Sequence, residues 1–159
     1  MKKYKEKYYV QDTINHRLLV QNEINKVIFE LQERLINHDT DKILNDVIYD
    51  CYAPIVAELR TVEYDTPKYH ELIDKMDIGW EEHMKNRHHW VEEKYNKEKL
   101  KELTIMDLAE IVCDWIGAMK RNISDDEQIM RGVEHNIKRY GLENWDSLII
   151  QTASCLLYR

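Results

Sequence analysis

Apolar residues recur every three or four positions along most of this chain. Val20, Ile24, Val27, Ile28, Leu31 and Leu35 form one such stripe, which predicts a helix over Thr13–Asn37 with a buried face. His16 stands one turn before Val20 and continues that stripe. A second helix is expected from about Lys42 to Leu59, with Thr40 or Asp41 as N-cap and Ile43, Val47, Ile48, Ile55 and Leu59 facing a core. Pro54 should kink or restart it, because proline lacks the helical N–H donor. Thr61–Thr66, ahead of Pro67, reads as a break, and a short helix follows over about Lys68–Lys75. From Gly79 to Tyr95 the helical period fades into an aromatic, histidine-rich segment, expected to be an ordered functional loop or a short helix.

The period returns at Thr104. Thr104-x-x-Asp107 resembles a capping box, and Ile105, Leu108, Val112, Ile116 and Met119 line the helix behind it. Ser124-x-x-Glu127 opens another helix with Ile129, Val133 and Ile137 inside, and Gly141 is its natural C-cap. A last helix over about Trp145–Leu157 should bury Leu148, Ile149 and Leu156. The expected fold is all-α, a single-domain bundle of six or seven helices spanning residues 1–159, with residues 1–11 as a flexible N-terminal arm.

Composition narrows the class. Four Gly and two Pro in 159 residues favour long helices over a turn-rich β architecture. The formal charge of −7 argues against duplex DNA as a ligand, since phosphate binding draws on a basic surface. Three cysteines without CxxC spacing read as buried, reduced thiols of a cytoplasmic protein. The opening MKKYKEKYYV runs into QDTINH with no apolar core, so it is not a signal peptide, and no apolar run approaches the roughly 18 residues of a membrane span. A homo-oligomer stays open.

Chemistry concentrates in a few segments. His38-Asp39 is adjacent, with Lys42 three residues on. His83, His88 and His89 fall inside WEEHMKNRHHW, and three imidazoles so close together have few structural reasons. Asp114 lies among Val112, Cys113, Trp115 and Ile116, so its carboxylate needs a partner, and a metal is one. Asp107 and Glu110 share its helix face and read as solvated acids; His70 and His135 read as surface residues. If Thr13–Asn37 is one straight helix, His16 and His38 stand about 33 Å apart at 1.5 Å per residue. Sharing a metal would then need a break, and Asn22 or Asn25 is where it would fall.

The order His, His-Asp with Lys three on, His, His-His, Asp resembles the HD-domain superfamily of metal-dependent phosphohydrolases, and HDTDK is similar to the HDxxK form of its HD-GYP branch, although the GYP element is absent. Four segments, NHRLLVQ, LQERLINHDTDK, GWEEHMKNRHHW and CDWIGA, also resemble an uncharacterised family of small phage and bacterial proteins over about residues 13–150. The resemblance implies one or two divalent ions in the core of an HD-like helical domain. By position, His16, His38, Asp39 and Asp114 would hold the first ion. His83 and His88 would hold the second with His89 in reserve, and Asp39 would bridge the two.

The function so implied is that of a phosphohydrolase acting on a nucleotide or nucleotide-like phosphoester through metal-activated water. Asp39 and Lys42 would be catalytic, and Lys42, Lys85 and Arg87 would neutralise phosphate oxygens. Imidazole-rich ligation suits Mn, Fe, Co, Ni or Zn better than Mg alone. The competing class is a non-catalytic helical protein that sequesters a nucleotide or binds a host protein, in the cytoplasm of a host cell if phage-encoded. It predicts no metal and little consequence from His38→Ala. An intermediate reading is an HD-like site that binds a nucleotide and hydrolyses nothing.

Overall fold

The computed structural model describes residues 2–63, 66–92 and 97–158, with side chains described at all of these except 2–5 and 97. The described residues are all-α: helices joined by turns, with no strand among them. The chain divides into two compact units, the first ending at Ile36 and the second running from Asn37 onward. No helix among the described residues is long and apolar enough to cross a membrane.

The first unit is a single helix. Helix α1 (Lys2–Asn37) runs without interruption through Asn22 and Asn25, and residues 2–11 belong to it. Glu23–Lys26 and Glu30–Arg34 pair along its surface at helical spacing. The expected burial of its stripe is not found: Val20, Ile24, Val27, Ile28, Leu31 and Leu35 are all exposed. A 3/4 period states which positions share a face. Burial needs a second surface, and the apolar residues of α1 also include exposed Leu18, Leu19 and Phe29 outside that stripe.

The second unit is a helical bundle. It begins with a tight turn at Asn37–Thr40 and a short helix α2 (Asp41–Leu44), followed by α3 (Asp46–Leu59). The interruption expected at Pro54 occurs instead at Asn45. Asn45 is extended, and its side chain accepts hydrogen bonds from the Val47 and Ile48 amides, the competition with helix that asparagine makes well. Pro54 is accommodated inside α3. Thr66 caps α4 (Pro67–Asp74), which starts on its proline, one residue before the expected Lys68. Residues 64 and 65 of the expected break lie outside the described residues, as do residues 93–95 at the end of the histidine-rich segment. The rest of that segment is ordered as α5 (Asp77–His83) and a 3-10 turn at Arg87–His89.

Helix α6 (Lys97–Leu100) precedes α7 (Ile105–Lys120), α8 (Asp126–Tyr140) and α9 (Asp146–Leu157), the last reached through a 3-10 turn at Glu143–Trp145. The Thr104–Asp107 capping box is fully formed. For α8 the cap is Asp125 rather than Ser124, its carboxylate accepting from the Glu127 and Gln128 amides, and Gly141 closes the helix at φ 70° as expected. Leu108, Ile111, Val112, Trp115, Ile129, Val133, Ile137, Ile149 and Leu157 form the main core. Ile105 and Leu156, expected inside, are exposed, as are Cys113 and Cys155, whose expected burial is not found. A smaller core joins Ile48, Tyr52 and Met76, flanked by Cys51, Ile55, Leu59, Ile73 and Trp80; Ile43 and Val47, expected there, are exposed. Helix α5 packs along α3, and the Arg87–His89 turn packs on α7. Those two contacts bring the histidine-bearing segment against the carboxylate-bearing helix.

Candidate metal centre

Asp39 stands in the turn before α2 with φ 55°, a left-handed backbone that aspartate tolerates better than most side chains. Its Oδ2 accepts a 2.7 Å hydrogen bond from Lys42 Nζ, one turn on. That grip turns Oδ1 inward, to 3.4 Å from His83 Nε2 and 3.8 Å from His88 Nε2. Burial alone would raise the Asp39 carboxyl, but the hydrogen bond and charge of Lys42 work against it and hold the group well below the ordinary carboxylate range.

The three histidines come from the end of α5 and from the 3-10 turn, and all are buried: His83 is 1%, His88 6% and His89 8% exposed. Each has its Nδ1 beside a carboxylate. His83 Nδ1 lies 2.8 Å from Asp41 Oδ2, which also accepts from the Asn86 amide at 2.7 Å. His89 Nδ1 lies 3.0 Å from Glu92 Oε1, and His88 Nδ1 lies 3.3 Å from Glu110 Oε1. A carboxylate can only accept, so this arrangement fixes the proton on Nδ1 and leaves a lone pair on Nε2 of each ring. Burial also pushes the His83 imidazole below its ordinary pKa, against the pull of Asp41, so it stays neutral at neutral pH.

Those Nε2 atoms point at one another. One ligand atom from each of Asp39, His83, His88 and His89 lies within 4.8 Å of the others. Asp39 Oδ1 and all three Nε2 atoms are buried and have no hydrogen-bond partner. Four orphaned buried acceptors facing a common point are costly unless something electron-poor sits among them. Their number, their type and the carboxylates behind the imidazoles are what a divalent transition metal requires.

A second group adjoins the first. Glu110 Oε1 also lies 3.2 Å from His38 Nδ1, while His38 Nε2 faces Asp114 Oδ1 at 3.4 Å. His38, His88 and Glu110 bring ligand atoms within 4.8 Å of one another, as do His89, Glu92 and Asp114. His38, Asp39, His83, His88, His89 and Asp114, singled out from sequence, thus converge, with a different grouping from that implied by resemblance. Asp39 joins His83, His88 and His89, and the reserve His89 is a full member.

Other expectations change. His16 is exposed on α1 and belongs to none of these groups; the break that its participation required is absent, because α1 is continuous past Asn22 and Asn25. Arg87 does not face the cluster as a free cation. Its Nε and Nη2 bind the two oxygens of fully buried Asp107 at 3.0 and 2.9 Å, Nη2 reaches the Glu102 carbonyl, and Cζ lies 4.5 Å from the Trp90 ring centre. Asp107 is therefore a buried anchor rather than a solvated acid, and Glu110 is a half-buried partner of two rings. Lys85 is exposed and pairs with Glu82. His70 and His135 are exposed, as expected. Sequence reasoning missed Asp41 and Glu92 as orienting carboxylates; their spacing, two residues after Asp39 and three after His89, is the signal that could have found them.

No curated protein and no solved structure matches this chain. The sequence model of a family of unknown function, DUF5662, matches residues 5–156. The chain, matched over nearly its whole length, belongs to the DUF5662 family.

Proposed function

We propose that the cluster is a transition-metal centre serving the hydrolysis of a small phosphoester, with a nucleotide as the substrate class. The observation that carries the metal is the convergence of four buried, unpartnered donor atoms from Asp39, His83, His88 and His89. Three neutral imidazoles and one carboxylate favour Mn, Fe, Co, Ni or Zn over Mg. A divalent ion bound there would polarise a phosphoryl oxygen and bring the pKa of water towards neutrality.

The chain's own groups divide the remaining work. Asp41, Glu92 and Glu110 hold the three rings in the tautomer that exposes Nε2. Lys42 aims Asp39, and its side chain, 31% exposed, is a cation at the cluster's solvent side. His38 stands 27% exposed between Glu110 and Asp114, beside the cluster.

The test is elemental analysis of the purified chain by plasma mass spectrometry, beside His88→Ala and Asp39→Asn. One or two transition-metal ions per chain, lost in both variants, with hydrolysis of bis(p-nitrophenyl) phosphate or of nucleotides in added Mn, would support the reading. No metal even after reconstitution would sink it. A second reading, a closed structural metal site, is favoured by one observation: four protein donors with deeply buried histidines are the complement of a structural ion. It predicts metal and metal-dependent stability without hydrolysis.

A further inference from the structure

Tyr52 belongs to α3, one turn after Ile48, in the smaller core. Its ring meets the His83 ring edge-on, 6.0 Å between centres, and Lys42 Nζ lies 5.9 Å from the ring centre. Its hydroxyl is buried and has no hydrogen-bond partner. Among the described residues, the other buried side-chain atoms in that condition are Asp39 Oδ1 and the Nε2 atoms of His83, His88 and His89. Among the described residues, the orphaned side-chain groups are therefore four acceptors of one cluster and a phenol whose ring meets one of its histidines.

With Asp39 Oδ1 and the three Nε2 atoms committed to the ion proposed above, the acceptors left beside the phenol are the outer carboxylate oxygens, and these are engaged. Asp39 Oδ2 is held by Lys42, and Asp41 Oδ2 by His83 and Asn86. A buried O–H without an acceptor costs free energy that phenylalanine, of nearly the same shape, would avoid. Beside four orphaned acceptors, the absent partner of a lone donor is an anionic oxygen that arrives with the ion.

We infer that the Tyr52 hydroxyl is a substrate-binding donor that meets an oxyanion oxygen, of the phosphate class, at the cluster of Asp39, His83, His88 and His89. This rests on the metal reading above. Lys42 flanks both Asp39 and the Tyr52 ring.

The experiment uses the full chain, stripped with chelator and reloaded with Co(II), as wild type and as Tyr52→Phe. Visible Co(II) absorption is followed while inorganic phosphate is added, and thermal denaturation is recorded without phosphate. The expected result is equal cobalt uptake, an unlowered melting temperature in Tyr52→Phe, and half-saturation by phosphate at about tenfold higher concentration or more. Equal half-saturation in the two proteins, or no response of wild type to phosphate, would overturn the inference and leave the metal reading standing. Loss of cobalt in Tyr52→Phe would overturn it too, by making the phenol a ligand or a prop of the site. A wild type that takes up no cobalt would remove both readings together.

Discussion

Gly79 of α5 lies against Cys51 of α3 so closely that a Cβ at position 79 would stand 2.5 Å from the Cys51 Cβ and 3.4 Å from the Ile48 Cα. The neighbours are a backbone atom and the first atom of a side chain, neither of which can swing aside. Gly79→Ala should therefore push α5 off α3 and cost about 1–3 kcal/mol, the usual range for overpacking. Because His83 ends α5, the same change should weaken metal uptake. A methyl group at Gly117, in α7, would meet nothing within 4 Å, so Gly117→Ala should be neutral or stabilise by about 0.5–1 kcal/mol. Urea denaturation of the two variants checks the contrast; equal effects would refute it.

The ligands and the carboxylates behind them should separate by magnitude. His83→Ala, His88→Ala and His89→Ala each delete a donor atom and should abolish stoichiometric metal. Asp41→Asn and Glu92→Gln keep the donors but release the rings, and should weaken affinity by about 10–100-fold. His135→Ala, at an exposed position of α8 that belongs to none of these groups, should change nothing. Competition with a metal-binding dye measures all six.

Arg87 and Asp107 form a two-pronged ion pair whose acid is fully buried. Arg87→Met would leave that carboxylate with the Thr104 amide and hydroxyl on its capping side and no guanidinium opposite. The cost should be about 3 kcal/mol, the low end for breaking a buried pair, since the arginine is itself partly exposed. Arg87 is followed directly by His88 and His89, so the loss should also reach the metal, which an exposed pair such as Glu23–Lys26 would not do. Chemical denaturation with and without bound metal distinguishes a stability effect from a site effect.

Chelation should lower the melting temperature, and added metal should raise it in proportion to the logarithm of its free concentration. At one hundred times the dissociation constant the gain is about 2.7 kcal/mol. A melting temperature indifferent to chelator and to added Mn, Co or Zn would contradict the metal centre whatever the activity.

The residues of the candidate site are legible in the sequence because their types are rare and their spacing is tight: His38-Asp39, His83, His88-His89 and an aspartate in apolar company. The carboxylates that orient them are not. Glu110 shares a helix face with Asp107, and a face of acids has the same period whether water or imidazole meets it. Arg87 misleads for a related reason: a long cationic side chain next to two histidines suggests an anion, and only the fold reveals that the anion is Asp107. Helix existence follows from periodicity almost throughout. The exposed stripe of α1 marks its limit, since a period defines a face and says nothing of what covers it. His16 depends on a break that no glycine or proline between it and His38 provides.

The left-handed backbone at Asp39 sets two filters on one position. The turn admits readily only glycine, asparagine and aspartate, residues that tolerate φ 55°. The cluster admits only a carboxylate there, because Lys42 and the imidazoles of His83 and His88 all approach its oxygens. The two sets intersect in aspartate alone. Glutamate should misfold the turn while keeping the charge, and asparagine should keep the turn while losing the ion. In a library randomised at position 39, selection for folding and selection for metal would thus each leave a different short alphabet, with one letter in common.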